Sequence, residues 1–297
     1  MSSKALGAAV AGLALWSFGA AAYTAAGDRI FPATIVLPQN APSDDLYLTP
    51  STQPLYSAIL PGSTDRLTNG SITYDKTITE RLSVGFTDGY NRFDQAGAGT
   101  ASGWQNLQTM VQYLAVLDPA HELLVSVGAG REWGTGAPRA GASPSGATTP
   151  AVYFGKGLGD LDIPALRPLA VSGSVGYQLA DQSRRPDLLV TGFVVEYSIP
   201  YLVSKVSSTP LPDVLRAMTP MVEFQLTTPA SNTRGATTAT LIAPGVNYAG
   251  EGWELGVEAL IPTTRSAGRG IGVTAQLHLA LDYLFPDSLG RPLFSSR

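Results

Sequence analysis

The residues able to do chemistry are few. The chain carries two histidines, His121 and His278, and no cysteine. Two histidines cannot build a His-rich metal centre, and without thiols there are neither disulfides nor thiolate ligands. No metal and no cofactor are therefore expected. His278 shares its strand face with Gln276 and Asp282. In an extended strand those positions lie about 7 and 13 Å away, so they are neighbours and not a formed triad. A hydrolase would need Ser, His and an acidic partner converging in space. The chain is read as non-enzymatic, with a lipid-modifying enzyme centred on His278 as the weakest rival. The run Gly155-Lys156-Gly157-Leu158-Gly159 lacks the Lys-Ser/Thr pair of a phosphate loop and reads as a strand end and turn.

A second group is more informative. Glu196, Glu223, Gln225, Glu254, Glu258, Gln276, His278 and Asp282 fall on the polar faces of strands in the C-terminal half. If those faces line a lumen, their carboxylates favour cations or hydrogen-bond polar solutes. They could equally pair with lumenal Lys or Arg and plug a narrow barrel.

The elements that carry these residues alternate with a period of two. Ile271, Val273, Ala275, Leu277, Leu279, Leu281, Tyr283 and Phe285 form one apolar face of residues 271–285. Such alternation marks a strand with one greasy and one wet side. Its length exceeds the usual globular strand of about 5–6 residues and matches the roughly 9–11 that a tilted bilayer-spanning strand needs. Residues 66–78, 82–87, 104–117, 121–133, 150–157, 169–180, 189–201, 218–227, 238–249 and 253–262 read the same way. That makes eleven strands, twelve if the proline-containing residues 46–60 form one. Tyr201, Tyr248, Trp253, Tyr283 and Phe285 sit at one end of their strands, Trp104 and Trp133 at the other. Two aromatic girdles are what a membrane barrel requires. A soluble β-sandwich also alternates, but strands of this length with apolar faces throughout speak against it. The expected fold is all-β, a single up-and-down antiparallel transmembrane β-barrel of about twelve strands.

Only 14% of the 297 residues are charged, and 32 Gly and 22 Pro supply turns and strand ends. The formal charge of -4 gives no basic footprint for nucleic acid. Lys4 followed by the apolar residues 5–22, ending in Ala20-Ala21-Ala22, reads as a signal peptide cleaved before Tyr23; an anchoring helix is the alternative its length permits. Residues 23–65 are expected to be a periplasmic lead-in with a possible first strand, 66–285 the barrel, and 286–297 a tail.

Several stretches resemble one family. Gly155-Lys156-Gly157-Leu158-Gly159-Asp160-Leu161, Leu166-Arg167-Pro168-Leu169 and Gly173-Ser174-Val175-Gly176-Tyr177 are similar to the outer-membrane β-barrels loosely called transporters or MetA-pathway phenol-degradation-like proteins. So are Thr79-Glu80-Arg81-Leu82-Ser83-Val84-Gly85, Pro244-Gly245-Val246-Asn247-Tyr248, and Leu281-Asp282-Tyr283-Leu284-Phe285-Pro286 with Gly290-Arg291-Pro292-Leu293-Phe294. The resemblance spans residues 66–294 and implies an uptake role without a catalytic set. Phe294-Ser295-Ser296-Arg297 departs from the aromatic last-strand ending of many such barrels. The expectation is an outer-membrane barrel, with membrane lipid as its partner, that passes or binds small solutes, hydrophobic or aromatic ones among them. A closed structural or adhesive barrel is the alternative.

Overall fold

A computed structural model describes residues 24–208, 210–233 and 235–294; the expected signal peptide lies outside them. Fifteen strands follow one another. A small hairpin pairs β1 (Thr24–Ala26) with β2 (Arg29–Phe31). Then come β3 (Asp45–Tyr56), β4 (Thr64–Thr79), β5 (Leu82–Gln95), β6 (Gly99–Trp104), β7 (Gln108–Asp118), β8 (Leu123–Glu132) and β9 (Ala147–Gly157). The wall continues with β10 (Leu169–Ala180), β11 (Leu188–Tyr197), β12 (Met218–Pro229), β13 (Ala239–Ala249), β14 (Trp253–Pro262) and β15 (Gly272–Ala280). Each wall strand pairs antiparallel with its neighbours, β15 pairs with β3, and the sheet closes. β6 stands outside the ring count: β5 pairs with β7 over its first half and with β6 over its second. The result is a closed barrel of twelve strands, 9 to 16 residues long.

Alternation sorts the side chains. Ile72, Phe86, Val111, Val127, Val152, Val175, Phe193, Leu255, Val257 and Val273 all lie exposed on the outer surface, from strands around the whole ring. A closed ring of exposed apolar side chains is tolerable where the surrounding solvent is lipid. Tyr248 and Trp253 lie tilted against one another at one rim, 5.9 Å between rings, and Tyr90 and Trp104 meet edge to face at 5.6 Å towards the other.

Two boundaries differ from the sequence expectation. The barrel begins at Asp45, so residues 45–56 are a full wall strand despite Pro50 and Pro54. Both prolines fall on the outward parity of β3, and the β3–β15 ladder skips the stretch around Pro50, which has no N–H to give. The last strand stops at Ala280, and Leu281–Leu284 turns into a short helix. Its partner runs out there, because Ala280 faces Asp45, the first residue of β3. The tail then folds back, donating from Leu293 N to Thr77 O and from Phe294 N to Ile78 O. Upstream of Asp45 the chain enters the barrel instead of leading in from outside. Ala26, Arg29, Phe31, Ala33, Ile35, Leu37 and Ala41 are all buried.

Candidate functional site

The site is the lumen, and residues 24–44 occupy its lower part. Four wall residues hold this segment by its main chain, Gln112 of β7 donating to Gln39 O at 3.0 Å. Glu223, on the inward parity of β12, accepts from Ile35 N at 2.6 Å, Val36 N at 3.1 Å and Leu37 N at 2.7 Å. Glu254 accepts from Ala33 N at 2.9 Å, and Asn247 donates to Ala33 O at 2.6 Å. Hydrogen bonds to an ionised acceptor are among the strong ones. Inward glycines receive the segment's side chains. A Cβ on Gly192 would stand 2.2 Å from Leu37 Cδ2, and one on Gly256 2.5 Å from Ile35 Cδ1. One on Gly155 would stand 2.9 Å from Asn40 and 3.0 Å from Phe31. These bare wall positions are sockets.

The hairpin below is anchored by Arg29, which is fully buried. Its Nε meets Glu122 at 3.2 Å, and its other nitrogens donate to the carbonyls of Arg167, Pro168 and Leu169. The guanidinium lies 4.0 Å over the Tyr201 ring, and the Tyr201 hydroxyl donates to Glu122. One cation thus ties the segment to three connections at the same rim.

The residues expected to line the lumen take different places. Glu196, Glu223, Glu254, Glu258, Gln276 and His278 are buried on inward faces, and Gln225 is half-buried on the same side of β12. Glu258 sits beside Glu223, the two carboxyl groups buried against one another. Asp282 belongs to no strand; it lies in the short helix after β15. Burial, and then the charges of Asp45 and Asp44, push its carboxyl up to about 6. His278 Nε2 is 2.9 Å from Asp45 and Nδ1 3.5 Å from Glu254, with the Tyr47 ring stacked at 4.7 Å. Tyr47 donates to Asp45 at 2.7 Å. Both ring nitrogens thus face carboxylates, a geometry that ties strands together and does not present a base to a nucleophile. Among the described residues no three His, Asp or Glu side chains are placed to share a metal ion.

Beyond the segment the lumen widens to a cavity of about 440 Å³. It runs from Tyr47 and Asp75, low on the wall, to Glu132 and Gln178 near the far strand ends. Ser71, Thr73, Ser83, Thr87, Gln108, Gln112, Thr149 and Gln276 give it hydroxyl and amide walls, and residues 34–39 form its floor. Arg131 reaches this wall but is spoken for, donating to both oxygens of Asp181 at 2.7 and 2.6 Å. Those bonds hold the Asp181 carboxyl below its ordinary range. Sequence reading missed the lumenal segment, its sockets and Arg29. The glycines at inward parity were the available signal.

Twelve antiparallel strands, an outer apolar belt, two aromatic rims and a polar interior define an outer-membrane β-barrel. An outer-membrane channel from Pseudomonas putida F1 superposes with a TM-score of 0.57 at 13% identity, covering 84% of this chain and 99% of that one. The KdgM porin (TM-score 0.47, 10% identity, 79% and 98% covered) and the NanC porin (0.48, 12%, 78% and 97%) also match. Of these three, the first bears on the fold. No protein-family model and no curated protein matches the sequence. None of these comparisons reaches the narrower phenol-degradation-like family that the glycine-rich motifs resemble.

Proposed function

We propose that the protein is a non-enzymatic outer-membrane channel for small, neutral, polar solutes, closed at rest by residues 24–44. One observation carries this reading. The obstruction is a separable stretch of main chain lying over a preformed chamber, not a mesh of wall side chains reaching across the lumen. The segment's ion pairs, Arg29–Glu122, Asp28–Lys205 and Asp44–Lys76, tie its two ends near one rim. The stretch between them, held by hydrogen bonds and sockets, can move as a unit, whereas cross-lumen ion pairs would have to break strand by strand. The chamber's Ser, Thr and Gln lining can exchange hydrogen bonds with a hydrated solute, and it carries no ladder of free cations for an acidic one. The outer-membrane channel that superposes at a TM-score of 0.57 agrees in architecture. For the hydrophobic or aromatic solutes that the family resemblance implies, Tyr47, Met110 and Tyr153 are the supporting surfaces.

The test is conductance of the full chain in planar bilayers. Gly192→Leu puts a side chain into the socket of Leu37, and Glu223→Ala removes the acceptor of three N–H groups. Each variant should open larger and longer steps than the parent, and liposomes carrying it should swell faster in neutral polyols than in charged solutes of equal size. Parent and both variants equally silent would favour the closed structural barrel.

A further inference from the structure

We propose that the extracellular end of β3 and β4 binds the phosphate groups of the outer-leaflet lipid, lipopolysaccharide. On β3 the inward positions are those of Asp45 and Tyr47, so the even-numbered residues point outward, Tyr56 among them. On β4 Ile72 is 55% exposed, and Arg66 shares its parity. Arg66 faces Pro54 across the ladder, which makes it a diagonal neighbour of Tyr56. Two more guanidiniums converge on that tyrosine from the connection between β14 and β15. Arg265 lies 4.5 Å and Arg269 5.5 Å from the ring centroid. Arg269 also donates to Gly62 O at 2.5 Å, which pins its position.

Arg66, Arg265 and Arg269 are exposed; Arg66 faces the Asp94 carboxylate directly across the β4–β5 ladder, whereas Arg265 and Arg269 form no ion pair among the described residues and carry the cluster's free charge. Two other arginines on this rim are matched, Arg92 to Asp94 and Arg131 to Asp181. The height is right for a headgroup. Gly70 faces Tyr90, which meets Trp104 in the aromatic rim. Arg66 stands four residues further out, about 13 Å along the strand. The cluster therefore lies just above the apolar belt, where a phosphorylated lipid places its charge. A guanidinium over an aromatic face keeps its N–H edges for other acceptors, and that fork matches a phosphate bidentately; Arg269 gives one N–H to Gly62 O and keeps the rest.

The experiment measures binding of fluorescent lipopolysaccharide to the full-length protein folded in neutral detergent. Arg265→Glu/Arg269→Glu should weaken binding about tenfold or more, while Arg139→Glu, a single charge reversal on another outer loop, should leave it unchanged. Lipopolysaccharide stripped of its lipid A phosphates should bind the parent as weakly as the intact lipid binds the double variant. Millimolar inorganic phosphate should not displace the lipid, since a free anion lacks acyl chains against the belt. Folding of each variant is checked by its heat-dependent gel mobility. If the glutamate pair does not fold, Arg265→Gln/Arg269→Gln is read the same way. Equal binding by the double variant and the Arg139→Glu control overturns the proposal, as does complete displacement by inorganic phosphate.

Discussion

His278 shows how a buried ion cluster can do positional work. Its ring bridges Asp45, the first residue of the wall, and Glu254, which also takes Ala33 N of the lumenal segment. His278→Ala would leave both carboxylates buried without their shared partner, a loss of about 3–5 kcal/mol for breaking such a pair. A lower thermal midpoint, followed by heat-dependent gel mobility, checks this; a midpoint equal to the parent's would mean that the bridge contributes nothing. Asp282 makes a separate prediction. Its folded-state value, about 6, lies above that of an unfolded aspartate near 4. The folded protein then binds more protons between about pH 4 and 6, so stability falls as pH rises through that window and stays lower above it. Asp282→Asn should flatten this fall and raise stability at neutral pH by about 1 kcal/mol, discounted because the side chain is part-solvated. Thermal midpoints at the two ends of the window measure it. The alternation of residues 222–226 puts Glu223 on a polar face, and that much is legible in the sequence. That its partners are three backbone N–H groups is not, since main-chain donors leave no trace in residue type.

Along a strand, the outer and inner faces make opposite demands. Leu277 lies on the outward face of β15 and Gln276 on the buried inward one. Leu277→Arg should cost about 2–4 kcal/mol if that face meets lipid near the midplane. Cysteine labelling separates lipid from mere burial. In this cysteine-free chain, Cys at Leu277 should react with a lipid-soluble maleimide and resist a water-soluble one. Cys at Gln108, exposed in the chamber, should do the reverse. Equal labelling of both by the water-soluble reagent would remove the strand from the membrane. Strand faces were readable because period two survives wherever one side is wet and the other greasy. Boundaries were less so. Residues 46–56 hide a wall strand behind Pro50 and Pro54, because a proline on the outward parity costs one ladder bond and leaves the faces intact. Residues 281–285 continue the alternation with no partner to pair with, and hydropathy does not reveal where a neighbour ends.

At the scale of the whole molecule, the barrel's number of strands follows from the repeated pattern, but its contents do not. Residues 24–44 carry prolines and no clean period, and what places them inside is complementarity with glycines more than a hundred residues away. The ring also closes between the most distant of its strands: Asp45 faces Ala280, and Leu46 faces Leu279. Every other wall contact joins wall strands that follow each other along the chain, across separations far smaller than the seam's. The seam alone must bring together ends separated by nearly the whole barrel, and pairings of such high contact order are slow to form. The lumenal segment lies immediately upstream of β3, the strand that completes the seam. Its sockets, on β9, β11 and β14, belong to the part of the wall that hairpin formation can build first. Time order is thereby written into connectivity. The segment can settle while the cylinder is still an open sheet, and the slow last pairing then shuts the wall around it.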